Sequence, residues 1–214
     1  MGTAGRVTVV AVPDAHAASV GVGRPTSVSA VTQSPVTESA VGVTGIIVPV
    51  REAETVVRPR AMIAAPELLP ADDGVAAHVT LLAPFMSPAT VDRGVLSELA
   101  GFFGDVTDFG FRLTSVAVFP GGAVYLTPEP PDVFRRLTAG LHRLFPEFPP
   151  YGGEFDEVVP HLTVPMPDGE DASTLRSSLH RRLPIEAHAT EARLVHVTDR
   201  MHSLATFRFG TTAA

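Results

Sequence analysis

His78-Val79-Thr80-Leu81 and His161-Leu162-Thr163-Val164 carry one tetrad, His-x-Thr-aliphatic, once in each half of the 214-residue chain. Both stretches are dominated by aliphatic and β-branched residues, which predicts strands, and in a strand residues i and i+2 leave the same face. Each tetrad therefore presents one imidazole beside one hydroxyl, while the aliphatic residues between and after them turn toward a core. If the halves pack as related lobes, two His and two Thr converge on one cleft.

The chain around the tetrads is punctuated by strand and helix patterns. Residues 46–50 and 76–82 read as strands, and Ser87-Pro88 predicts the capped start of a helix whose apolar stripe is Val91, Val95, Leu96, Leu99 and Phe103. Residues 109–119 and 123–126 read as strands around the hairpin turn Pro120-Gly121-Gly122. A helix over 131–145, with Phe134, Leu137, Leu141 and Leu144 on one face, leads to a strand over 161–164. A helix over 172–183 and strands over 185–197 and 204–209 close the chain. These elements lack the even βαβ cadence of a doubly wound sheet, which predicts an α+β class, and their recurrence in both halves suggests an internal duplication. Residues 1–42 offer little to bury and are expected to be a disordered or low-complexity extension, leaving 43–214 as the domain. The apolar run 7–12 is broken by Pro13-Asp14 and is too short for a secretory signal.

Composition removes several chemistries. There is no Cys, so disulfides, thiolate nucleophiles and thiolate metal sites are absent. All 16 basic side chains are Arg, which excludes a Walker A lysine, Schiff bases and lysyl-adenylate chemistry. A net charge of −7 argues against tight binding of long nucleic acid and leaves room for a small or end-bound anion. With no run of 18 apolar residues, no membrane partner is expected and the location read from the chain is cytoplasmic.

Two His and two Thr on one cleft suit phosphoester chemistry. A neutral imidazole takes a proton from the attacking hydroxyl or water, a protonated one donates to the leaving oxygen, and the Thr hydroxyls bond the nonbridging phosphoryl oxygens. No cofactor and no metal are expected. The bare motif is weak, because two copies arise by chance in about one chain in ten of this composition. His196-Val197-Thr198-Asp199 is such a match, with a charged fourth residue, and is read as structural.

The flanks add specificity. The domain opens on Ile46-Ile47-Val48-Pro49-Val50; the first tetrad lies within Ala77-His78-Val79-Thr80-Leu81-Leu82-Ala83-Pro84-Phe85; the second follows Pro149-Pro150-Tyr151-Gly152-Gly153-Glu154-Phe155 and Val158-Val159-Pro160. In these features residues 45–210 resemble the 2H phosphoesterase superfamily, specifically its bacterial 2′-5′ RNA ligase-like proteins. The resemblance implies a bilobal, pseudo-symmetric fold, with two antiparallel or mixed sheets flanking a central cleft and helices outside. It also implies metal-independent action on 2′,3′-cyclic phosphates or 2′-5′ linkages at RNA ends. The catalytic pair carried over is His78 and His161, with Thr80 and Thr163 on the phosphoryl group. Met201-His202-Ser203-Leu204 departs from the family's usual turn near the end.

Further candidates are weighed against ordinary roles. Tyr151 is placed to stack on a base or to anchor its loop. Arg58 and Arg60 are candidates to steer a phosphate, with solvated surface as the alternative. Phe85 and Phe119 are candidate cleft residues, with core packing the usual role of aromatics at strand ends. The expected partner is an RNA end or a small nucleotide, met by a monomer. A phosphodiesterase for a small cyclic nucleotide or 2′-5′ oligonucleotide, and a non-catalytic nucleotide-binding module, are the rival readings. The near symmetry of the tetrads leaves open which His is acid and which is base.

Overall fold

A computed structural model describes residues 42–155 and 157–210; the extension expected over 1–42 lies, but for Gly42, outside the described residues, as do Asp156 and 211–214. Strand β1 (Val43–Pro49) alternates Ile46 and Val48 on one face with Ile47 on the other, and leads through a short 3-10 turn into helix α1 (Glu54–Ala64). The tetrad strand β2 (His78–Leu82) follows, then α2 (Arg93–Gly104) and the hairpin β3 (Phe109–Val118) and β4 (Val124–Glu129). Helix α3 (Asp132–Leu144) leads to the second tetrad strand β5 (Leu162–Thr163), and α4 (Ala172–His180) to β6 (Ile185–Ala189), β7 (Glu191–Val197) and β8 (Met201–Arg208).

All eight strands join one antiparallel sheet in the order β6-β3-β4-β5-β2-β1-β7-β8. The class is α+β. The order reads outward from the centre as two four-stranded halves, one led by β2 and one by β5, and the two expected sheets are continuous through the pair Val79↔Leu162. After α2 the chain crosses to set β3 beside β4, and after β6 it crosses back to set β7 beside β1. The stretch 185–197, read as one strand, is thus two strands in opposite halves, divided at Thr190. No Gly or Pro marks that break.

One main core, on the helix-packed face, draws on both halves and includes Ile46, Val48, Val79, Leu113, Leu126, Leu162 and Leu194. Phe103 of α2 stacks on Phe207 and Phe209, and Phe209 stacks on Phe109 of β3, so an aromatic row ties the last strand to the second half. Gly210 completes the tie, accepting from Asp108 N at 2.8 Å and donating to Val106 O at 2.7 Å.

Helix starts differ from the sequence reading. Ser87-Pro88 opens only a 3-10 turn, and α2 begins after Asp92, whose carboxylate accepts from Val95 N at 2.9 Å, the stronger cap. Helix α1 has no counterpart in that reading. Pro59 and the β-branched pair Val56 and Val57 argue against it locally, and burial of Val56, Val57 and Ala61 overrides that propensity.

Candidate active site

The pairing of Val79 with Leu162 decides the geometry of the tetrads. Val79 and Leu162 are fully buried in the main core, so their neighbours along each strand face the other way. In an antiparallel pair this sets His78 opposite Thr163 and Thr80 opposite His161, all four on the face away from the helices. Diagonal neighbours in such a pair lie about 7–8 Å apart, so the two imidazoles stand within reach of one small group on that face, with a hydroxyl beside each. Loss of the large apolar anchor Leu162 would cost about 2–5 kcal/mol and loosen this crossing.

Each imidazole is held by the same local device. His78 Nδ1 donates to Ala76 O at 2.7 Å, and His161 Nδ1 donates to Val159 O at 2.7 Å. A carbonyl can only accept, so Nδ1 carries the proton in both neutral rings and Nε2 on the far side is free to take or give one. Burial draws both imidazoles below their ordinary value; for His78 the bond to Ala76 O opposes this, His161 reinforces it and Glu54 opposes it. For His161 the bond to Val159 O is the opposing influence.

The surroundings of the two differ. His161 is 7% exposed and walled by rings: Phe119 edge-on at 4.9 Å between centroids, Tyr125 edge-on at 5.5 Å and Tyr151 stacked at 6.0 Å. Phe119 and Tyr125 stack on each other at 4.1 Å across the turn that joins β3 to β4, and Tyr125 stands opposite Thr163. Tyr151 is the one non-glycine residue with positive φ among the described residues (φ 52°), pinned by its N–H to Ala83 O at 2.8 Å beyond the end of β2. Such a strained backbone persists only where its surroundings hold it. Burial pushes the Tyr151 phenol up to about 12, so it stays protonated.

On the His78 side the neighbours are charged. The carboxylate of Glu54, in the first turn of α1, accepts from Ala76 N at 3.1 Å and Ala77 N at 3.0 Å. Arg58 pairs with Glu54 and donates through Nη2 to Gly74 O at 3.0 Å. Arg58, a candidate to steer phosphate, is thus engaged in bracing the 74–77 segment. Arg60 forks onto Glu170 at 2.6 and 3.1 Å, linking α1 to the segment before α4. Phe85 is 7% exposed and packs edge-on against Phe145 and Phe148, in the core. Farther along the tetrad face, Ile47 stands opposite Thr80 and Arg193 opposite Ile47, its guanidinium paired with Glu191 at 2.8 Å. Tyr125 and Glu54 escaped the sequence reading. The hairpin turn at 120–122 was the available signal for Tyr125, since it sets Phe119 and Tyr125 on facing strands; nothing local marks Glu54.

Residues 49–200 match the family model of the 2′-5′ RNA ligase superfamily. The chain belongs to that superfamily. Membership places it among the 2H phosphoesterases, as the paired tetrads led one to expect, and makes it a phosphoesterase by class. Its fold is that of LigT from E. coli, whose apo crystal structure it matches at TM-score 0.50 and 19% identity, over 82% of this chain and 100% of that one. The crystal structure of the same E. coli protein with 3′-AMP matches at TM-score 0.50 and 19% identity over 78% and 98% of the two chains. A further structure described as a phosphoesterase matches at TM-score 0.50 and 17% identity, over 78% and 98%. No curated protein sequence matches. Among the described residues no group of three or more His, Asp or Glu is arranged to hold a metal ion, and no helix is long and apolar enough to cross a membrane.

Proposed function

We propose that this superfamily member opens 2′,3′-cyclic phosphates, or makes and breaks 2′-5′ phosphodiesters, at the end of an RNA or a short nucleotide, without a metal. The observation that carries the reading is the antiparallel crossing at Val79 and Leu162, which supports two imidazoles and two hydroxyls around one phosphoryl-sized space. In hydrolysis, Nε2 of the neutral imidazole takes a proton from water as its oxygen bonds to phosphorus. The bond from phosphorus to O3′ breaks, and Nε2 of the protonated imidazole gives its proton to O3′, leaving a 2′-phosphate. Ligation uses a 5′-hydroxyl in place of water and forms a 2′-5′ linkage. Thr80 and Thr163 donate to the nonbridging oxygens, where charge must be held.

The ring wall beside His161 supports stacking of the terminal base on Tyr151, and Phe155, 48% exposed and edge-on to Tyr151 at 5.9 Å, extends that surface. A net charge of −7 favours a short substrate over long RNA, and Arg193, the arginine on the tetrad face, is already paired with Glu191. The deciding experiment incubates purified protein, with and without EDTA, with nucleoside 2′,3′-cyclic phosphates, cyclic-phosphate-ended RNA and 2′-5′ dinucleotides, and identifies the products. A 2′-phosphate product that survives chelation supports the reading. Turnover of none of them, with nucleotide still bound, favours a binding module on the same fold.

A further inference from the structure

We propose that Glu54 is a positioning residue for His78: it holds the carbonyl that orients the imidazole, supports the imidazole's charge, and makes the two histidines chemically unequal. The chain of contacts is continuous. Glu54 accepts from the N–H groups of Ala76 and Ala77; the carbonyl of Ala76 then accepts from His78 Nδ1, and the carbonyl of Ala77 accepts from Val50 N at 2.9 Å. One carboxylate, 16% exposed, thereby fixes the Val75–Ala76 and Ala76–Ala77 peptides, the second of which carries the carbonyl that His78 bonds. An acidic residue in the first turn of a helix is ordinary, since it meets the positive end of the helix dipole. This one caps no backbone N–H of its own helix: it spends its oxygens on the strand approach and on Arg58 one turn along α1.

The second half has a loose counterpart. Asp132, in the first turn of α3, pairs with Arg135 at 3.2 Å, and Arg135 reaches Glu157 in the approach to His161 at 3.5 Å, all three largely exposed. No carboxylate bonds the peptides that carry Val159 among the described residues. Among the described residues, then, a helix-to-approach connection occurs in both halves and is tight beside His78 alone.

Charge sets the sign of the consequence. The charged and titratable groups around His78 and the segment that leads to it are Glu54 and Arg58 on α1, His161 just before β5, Asp72, which accepts from Gly74 N, and the Glu191–Arg193 pair on β7, whose guanidinium abuts Gly74. Removing the carboxylate of Glu54 leaves Arg58 uncompensated and disfavours imidazolium at position 78. Removing Arg58 has the opposite effect.

The test is a histidine-ring NMR titration of the full chain without substrate, for the parent protein and for Glu54→Gln, Arg58→Gln and Asp132→Asn. The His78 pKa is expected to fall by about 0.3 pH unit or more in Glu54→Gln and to rise in Arg58→Gln, with His161 and the Asp132→Asn protein little changed. In kcat/KM one limb of the pH profile moves the same way; that consequence rests on the phosphoesterase reading, whereas the titration does not. A protein that turns over no phosphoester yet shows the opposed shifts retains the inference and loses that reading. An unmoved His78 in both variants, or shifts of one sign in both, overturns it. If Glu54→Gln fails to fold, Arg58→Gln alone decides by the same criterion.

Discussion

In the first half of the sheet the segment whose carbonyl orients the His78 imidazole is tied to a carboxylate and guanidinium on α1, whereas in the second half the His161 imidazole is packed by Phe119, Tyr125 and Tyr151. The backbone device is the same, Nδ1 to the carbonyl two residues earlier. The two halves share the part that fixes which nitrogen carries the proton and differ in the surroundings. A proposed acid and base need this: both rings must aim Nε2 at one phosphoryl group, yet at any instant one must hold a proton and the other must not. Charge on one side and apolar rings on the other are two ways to set a protonation preference.

The comparison breaks most decisively at the histidines. His78→Ala and His161→Ala are each expected to lower kcat by about a hundredfold to ten-thousandfold, and Thr80→Ala and Thr163→Ala by about tenfold to a thousandfold. Steady-state kinetics on a 2′,3′-cyclic phosphate, with circular dichroism to confirm folding, measures all four. Activity that survives loss of either imidazole would falsify the paired mechanism.

The pH dependence sharpens it. Burial lowers both imidazoles in the folded chain, so between their folded values and the ordinary 6.5 the unfolded chain binds more protons. Stability is then fully present above that window and is lost as pH falls through it. Chemical denaturation at pH 7.5 and 5.5 should give the lower midpoint at pH 5.5, and His161→Ala should narrow the difference. The basic limb of kcat/KM, which reports the free enzyme, belongs at or below the ordinary imidazole value. A limb well above neutrality would show that another group supplies the acid.

The tetrads were legible in the sequence because a period of two and four reactive side chains suffice to name a face, and the strands that carry them were legible for the same reason. The crossing of Val79 with Leu162 was not, since register between strands so distant in sequence depends on how the whole core closes. The aromatic wall was hidden likewise: Tyr125 meets His161 only once β4 lies beside β5. Helix α1 was obscured by Pro59, and with it Glu54, whose backbone partners lie more than twenty residues away. The split at Thr190 carries no Gly or Pro, and its one trace is a slip in the alternation, from Ala187 and Ala189 buried before it to Ala192 and Leu194 buried after it.

On the ring side, Tyr151→Ala is expected to raise KM for a nucleotide substrate by about fivefold to a hundredfold, the value of one base stacked on an aromatic ring. Tyr151→Phe should change it less than about threefold, since the ring remains. Equal loss in both variants would assign the contact to the phenol, which stays protonated and can donate.

The smallest effect is expected at His196, the third His-x-Thr in the chain. Along β7, Ala192 and Leu194 enter the core, while Arg193 and Val195 take the tetrad face, so His196 follows Leu194 onto the helix side of the sheet. Its cross-strand neighbours are Thr44 and His202, and the hydroxyl of Thr198 bonds Asp199 at 2.9 Å instead of a shared site. His196→Ala should leave kcat and KM within about twofold of the parent protein, as surface substitutions away from special features do. This variant separates face from motif: it removes the imidazole of the same His-x-Thr pattern where the strand points it to the other side of the sheet. A loss comparable to that of His78→Ala would mean that the pattern and not the shared face carries the chemistry.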